Sequence, residues 1–142
     1  MQLKVNEFRI GNLITYDIND SFVDRVPYHG KNIYVVKVIM EDSIKIDLGH
    51  GSLQRVLMDD PKLKPIRISE ELLIRAGFEE VNLETYRIFL DKRKYGLMDI
   101  DLDLKVAFLM CASNGLEMCK TRYIHHVQNL YHSLTGRELK WN

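Results

Sequence analysis

The chain has no excess charge of either sign and no long apolar run. Its 20 basic and 20 acidic side chains cancel to a formal net charge of zero. Non-specific nucleic-acid binding depends on many phosphate contacts, so this neutrality argues against it as the main activity. The longest apolar run, residues 106–112, is far shorter than the ~20 residues needed to cross a bilayer. The first ten residues contain no apolar signal core, so we expect a cytoplasmic protein with no membrane partner.

The motifs of common catalytic and metal sites are also missing. Seven residues separate Cys111 from Cys119, whereas zinc sites favour much closer cysteine pairs. The segment DIDLD lacks the glycine and the distal glutamate of a calcium loop, and neither a nucleophile elbow nor a phosphate-binding loop is present. We therefore predict no metal, no cofactor and no catalytic residue. The question of catalysis stays open, with a non-catalytic protein favoured.

At 142 residues the chain fits a single domain, 1–142, with a subdivision into 1–60 and 61–142 as an option. The first part is rich in short strands. NIYVVKVIM and IKIDL are separated by a tight turn, SLQRVLM follows, and Gly11 marks a bend. This pattern predicts a small β-barrel-like section of the SH3-like type.

The second part predicts a short helix, an antiparallel sheet and a closing helix. Ser69 can cap the helix in SEELLIRAGF, and Gly77 can end it. TYRIFL predicts a strand, and strict alternation over residues 98–106 predicts one half-buried strand. A hairpin that turns at Asn114-Gly115 follows. The predicted fold class is therefore α+β.

The closing segment predicts an amphipathic helix over residues 123–135. Winding it at about 100° per residue gathers apolar side chains on one arc, which should cover the sheet. Gly136 supplies the stop. A polar stripe falls on the opposite side and consists of His125, Gln128, Asn129 and His132.

Three segments of the chain resemble blocks of a family of small uncharacterised proteins. They are FRIGNLI, KPIRISEELLIRAGF and YIHHVQNLYHSLTGREL. The family reads R-I-G-N, then P-I-x-L-T-E-E-W-L-x-x-F-G-F, then H-x-L-Q-N-L-Y-x-A-L-T-G-x-E-L. It is common in gut bacteria of the Bacteroides group and in their phages and prophages. The chain departs from it at Ser69, Leu72 and Ala76, and the resemblance implies a setting but no activity.

The family pattern includes His125, Gln128 and Asn129 but neither His126 nor His132. We therefore take the first three as candidate binding residues. The alternative is structural, with these groups hydrogen-bonded to loops or to the N-terminal section, which is the more usual role of such groups. A further alternative is an enzyme that uses His125 as acid or base.

A basic and aromatic segment is the one feature typical of nucleic-acid binding. It consists of Tyr86, Arg87, Lys92, Arg93, Lys94 and Tyr95. Aromatic rings can stack on bases while cations neutralise phosphates, although such a run is more often a soluble hairpin tip.

The leading functional hypothesis is an accessory or interaction protein of phage or mobile-element origin that binds another macromolecule. A protein is the expected partner. Nucleic acid is the alternative, and the sequence is compatible with a homo-oligomer.

Overall fold

The structure is a computed structural model that describes residues 3–16, 33–49, 51–91, 96–111 and 114–141. The chain divides into two compact units, Met1–Ile66 and Arg67–Asn142, called here the N-terminal and C-terminal units. Each contains a five-stranded sheet, and the two α-helices found among the described residues lie in the C-terminal unit. The predicted α+β class is confirmed. The prediction of one domain with an optional boundary after residue 60 stays a prediction.

The N-terminal unit is a curled antiparallel sheet preceded by one turn of 3-10 helix, Val5–Glu7. The strand order in the sheet is β4-β3-β2-β1-β5. The strands are β1 (Leu13–Tyr16), β2 (Ile33–Ile39), β3 (Ser43–Gly49), β4 (Ser52–Leu57) and β5 (Leu63–Lys64).

Strands β2, β3 and β4 fall where the sequence predicts them, because hydrophobic alternation and flanking turn residues mark them locally. Gly11 has φ 100°, which agrees with the predicted bend. The side chains that alternate inward form one core, which includes Ile14, Val36 and Ile46. Strand β5 was not predicted; it lies between two prolines and pairs with β1.

The C-terminal unit has a sheet with strand order β10-β9-β8-β7-β6, in which every pairing is antiparallel. Its elements are α1 (Glu70–Arg75), β6 (Glu79–Asn82), β7 (Thr85–Phe89), β8 (Gly96–Asp101), β9 (Val106–Cys111), β10 (Asn114–Lys120) and α2 (Ile124–Thr135). Within the described residues, no helix is long and apolar enough to span a membrane.

Helix α1 begins and ends as its caps predict. The Leu72 amide donates to Ser69 Oγ at 3.3 Å, which satisfies one of the amides that lack an intrahelical acceptor. Gly77 has φ 93°, and the Phe78 amide then donates to the Leu73 carbonyl at 3.0 Å. Leu73 and Phe78 are buried in the core of the unit, so packing holds this helix of six residues.

The prediction of one continuous strand over residues 98–106 is wrong. The chain forms β8, turns through residues 102–105 and re-enters the sheet as β9. Asp101 Oδ1 accepts from the amides of Asp103 and Leu104 at 2.9 Å each, so this side chain builds the turn. Lys105 completes it at φ 57°, and Leu104 is 62% exposed rather than buried.

The predicted reversal at Asn114-Gly115 is also wrong. Asn114 pairs with Cys111 and Gly115 pairs with Met110, so both residues already belong to β10. The connecting residues 112–113 lie outside the described part of the chain. A register shift between Glu117 and Cys119 pairs Cys119 with Ala107.

Helix α2 contributes its apolar side to the core of the C-terminal unit, as the sequence predicts. Ile124 and Val127 are fully buried, and Tyr131 is almost so. Val127 and Tyr131 share that core with Met98 and Ile100 of β8. The helix ends at Gly136, whose φ of 72° lets its amide donate to the His132 carbonyl.

We expect Ser69→Ala to lower the free energy of unfolding by about 1 kcal/mol, because the Leu72 amide loses its acceptor. Chemical denaturation with circular dichroism measures the change. The matched control is Ser133→Ala, which changes an exposed serine within α2 and should stay within about 0.5 kcal/mol of wild type. Equal stabilities for the two variants would contradict the capping role.

Candidate functional site

Helix α2 begins with a cluster of three aromatic rings. Tyr123 stacks on His125 with ring centroids 5.8 Å apart and an interplanar angle of 5°. His126 meets both rings edge-on, at 5.4 Å from Tyr123 and 4.4 Å from His125. His126 Nδ1 also accepts from the Arg122 amide at 3.3 Å. The rings therefore help to fix the segment that leads into α2.

His125 lies in the interior, with 1% of its surface exposed. Burial, together with the positive charge that His126 can carry, lowers the pKa of His125 to about 3. A general acid or base works best with a pKa near the operating pH, and it must reach the substrate. Neither condition holds for His125 in this conformation, so the structure disfavours the enzyme hypothesis built on it.

The other residues of the predicted polar stripe are also at least partly buried. Gln128 is 1% exposed, whereas Asn129 and His132 are half-buried. The expectation that these residues share the side of α2 away from the core is therefore wrong for His125 and Gln128. Buried polar groups are ordinarily there for structural reasons, which favours the structural alternative for these two residues.

Two residues of the basic and aromatic segment, Tyr86 and Arg87, are engaged within the protein and not available to a nucleic acid. Tyr86 is 2% exposed and its hydroxyl donates to Glu80 Oε2 at 2.9 Å, so its ring is not available for stacking. Arg87 holds Asp99 through two contacts, Nε to Oδ1 at 2.8 Å and Nη2 to Oδ2 at 3.0 Å. Residues 92–95, which supply Lys92, Arg93, Lys94 and Tyr95, lie outside the described residues.

The structure brings together a different set of side chains, which the sequence did not single out. A cavity of about 350 Å³ opens in the C-terminal unit beside the start of α2. We call it the cationic cavity, because three basic residues from separate segments line it. Its lining residues are Arg67, Ile68, Leu102, Lys105, Thr121, Arg122 and Tyr123.

Backbone contacts hold the three segments of this cavity in place. Arg67 forms an isolated antiparallel bridge with Tyr123, and the Ile68 amide donates to the Arg122 carbonyl at 3.2 Å. The Thr121 amide donates to the Lys105 carbonyl at 2.8 Å. The left-handed conformation of Lys105 is uncommon for a residue with a side chain. The turn before β9 thus brings Lys105 to the end of β10.

The charges of the cationic cavity are not balanced locally. Arg67, Lys105 and Arg122 are exposed, and none of them forms an ion pair with a described residue. No lining residue is acidic. The Oγ1 atom of Thr121, a residue 1% exposed, has no hydrogen-bond partner among the described residues. This arrangement can bind an anionic group.

No local pattern in the sequence predicts this cavity, because its residues come from three distant segments. The position of Lys105 depends on the turn at residues 102–105, which lies within the alternating stretch 98–106 that predicted one continuous strand. Within the described parts of the chain, no three His, Cys, Asp or Glu side chains come together in a way that could hold a metal ion.

We expect the buried neutral His125 to make unfolding pH-dependent. Its folded pKa of about 3 lies below its ordinary value of 6.5, so between these pH values the unfolded chain binds a proton that the folded chain does not. The stability is therefore complete above pH 6.5 and is lost as the pH falls. The slope is about 1.4 kcal/mol per pH unit below pH ~6. Urea denaturation at a series of pH values measures it.

The comparison variant is His125→Phe, which keeps a ring against Tyr123 and removes the titrating group. The slope should be reduced by about 1.4 kcal/mol per pH unit in this variant and retained in a His132→Gln control. Identical slopes for wild type and His125→Phe would show that His125 does not titrate as its burial requires.

No protein-family model matches the chain. No curated protein matches it. No solved structure matches it. The resemblance carried by Arg9 to Asn12, by the α1 segment and by the α2 block therefore stays a prediction.

Proposed function

We propose that this protein is a non-catalytic accessory protein that acts by binding another macromolecule, and that this partner is a protein. We further propose, from the sequence resemblance alone, a phage or mobile-element origin and a Bacteroides-group host. A cytoplasmic location is also proposed. The N-terminal curled sheet would serve as a scaffold of the small SH3-like barrel type.

One observation carries the binding proposal: three exposed cations surround the cationic cavity and form no ion pair with a described residue. Clustered like charges repel one another, and acidic groups of a partner would relieve this repulsion. Charge complementarity of this kind speeds association and selects the partner. The cavity adds a concave surface that shapes the contact, which a flat charged face would not provide.

The burial of His125 and Gln128 supports the proposal that a partner binds at the cationic cavity and not at these two residues. His125 and Gln128 are each 1% exposed, so contact with a partner would require α2 to move. We assign them the role of holding α2 in place. Partner contact is assigned instead to Arg67, Lys105 and Arg122, which are already exposed.

A protein partner is favoured over nucleic acid on two grounds. The net charge of the chain is zero, which gives weak long-range attraction to a phosphate backbone. In addition, Tyr86 and Arg87 of the basic segment are committed to Glu80 and Asp99. The experiment below also detects a nucleic-acid partner, should there be one.

The test is affinity capture from a Bacteroides-group lysate with wild type and Arg67→Glu/Arg122→Glu. Captured proteins are quantified by mass spectrometry, with and without nuclease treatment. We expect a protein that wild type retains and that the variant recovers roughly tenfold less, because reversed charges repel the acidic partner.

The matched control is Lys37→Glu/Lys62→Glu, which makes the same change in charge at two exposed lysines of the N-terminal unit. It should retain the partner. Equal recovery by wild type and both variants would refute the role of the cationic cavity. If nuclease treatment abolished the recovery of captured proteins, the partner would be a nucleic acid and not a protein.

A further inference from the structure

We propose that the cationic cavity is a phosphate-binding site, in which Arg67, Lys105 and Arg122 neutralise the group and Thr121 donates a hydrogen bond to it. This inference deepens the proposed function and rests on it where the phosphate belongs to a phosphorylated protein partner. The shared chemistry is a tetrahedral oxyanion, whether it is free phosphate or a phosphate monoester.

The charge of the site suits a dianion better than a carboxylate. A phosphate monoester carries about −1.5 to −2 charges and three acceptor oxygens. Two arginines offer planar forks that can bind oxygen pairs, and a lysine adds a compact charge. A single carboxylate would leave most of the three positive charges around the cavity unbalanced.

Thr121 supplies a second and independent indication. It lines the cavity, is 1% exposed, and its Oγ1 has no hydrogen-bond partner among the described residues. A buried hydroxyl without a partner is costly, so it is expected to have one in the functional state.

The start of α2 adds a favourable dipole. Arg122 and Tyr123 lie immediately before this helix of twelve residues, and its N-cap residue, Tyr123, makes no side-chain capping hydrogen bond. The first amides of a helix have no intrahelical acceptor and favour anions at that end. The Arg122 amide is held by His126 Nδ1, which keeps the segment beside the cavity.

The two acids that precede Lys105 in its turn do not occupy the site. Asp101 and Asp103 precede Lys105 in the turn, but neither lines the cavity. Asp101 Oδ1 already accepts from the amides of Asp103 and Leu104. The cavity volume of about 350 Å³ exceeds what a bare phosphate fills, since one water takes about 30 Å³ in the liquid. Space therefore remains for the group that carries the phosphate.

The test is a titration of the full-length ¹⁵N-labelled chain, followed by two-dimensional NMR at constant pH and ionic strength. The probes are inorganic phosphate, O-phosphoserine, serine and acetate. We expect saturable shifts of the amides of residues 121–125 with both phosphate probes at concentrations up to about 20 mM, and at least severalfold weaker binding of acetate. Serine should cause no shift.

Two variants test the assigned contacts. Arg67→Gln/Arg122→Gln should weaken phosphate binding about tenfold or more, because charge-assisted contacts are lost. Thr121→Val keeps the side-chain shape and should weaken it severalfold, while its thermal unfolding midpoint stays at or above that of wild type. Lys37→Gln/Lys62→Gln is the matched control and should bind as wild type does.

The absence of a saturable shift with either phosphate probe would overturn the proposal, and so would equal binding by Arg67→Gln/Arg122→Gln and wild type. Binding of acetate as tight as that of phosphate would also overturn it. Binding of inorganic phosphate without O-phosphoserine would support the site and identify the free anion as its ligand. A null titration alongside successful capture rejects the phosphate site alone, whereas the reverse result rejects the macromolecular partner alone.

Discussion

The burial of the apolar side of α2 in the core of the C-terminal unit is the interaction on which the described site depends. A helix of twelve residues is marginal on its own in water, so tertiary packing must stabilise it. Complete burial of a side chain such as Ile124 or Val127 contributes roughly 1.5–3 kcal/mol. With Val127 and Tyr131 held beside Met98 and Ile100, the segment before the helix has little freedom. Its bridge to Arg67 and its hydrogen bond to Ile68 then complete the wall of the cationic cavity.

The same packing explains why polar groups of α2 are found in the interior. The buried arc of the helix is wider than its apolar stripe, and it includes His125 and Gln128. Burial lowers the pKa of His125, and the ring therefore serves as a neutral packing element that stacks on Tyr123. The exposed cations lie elsewhere. Arg122 lies where the chain enters the helix, Lys105 lies in the turn that meets the end of β10, and Arg67 pairs with Tyr123. The residues that hold the helix and the residues proposed for recognition are thus neighbouring but different.

Features that depend on local sequence could be predicted, and features that depend on tertiary contacts could not. The caps of α1, the strands β2 to β4 and the apolar arc of α2 follow from turn residues and periodicity. Residues 98–106 alternate perfectly, yet a turn built by Asp101 Oδ1 interrupts them, because the side-chain hydrogen bonds compete with the ladder. Asn114-Gly115 has the composition of a turn but lies in β10, and the exposed strand β6 has no alternation that would mark it. The cationic cavity joins distant segments and had no signal in the sequence.

Native-state hydrogen exchange of α2 tests the dependence on its packing most directly. If the helix and the sheet share one cooperative core, the interior amides of α2, residues 128–131, should open with the same free energy as those of the central strand β8. The agreement should be within about 1 kcal/mol, which corresponds to less than a tenfold difference in protection. Exchange of the α2 amides more than a hundredfold faster than those of β8 would show that the helix opens by itself. That result would contradict the claim that its burial holds the cationic cavity in place.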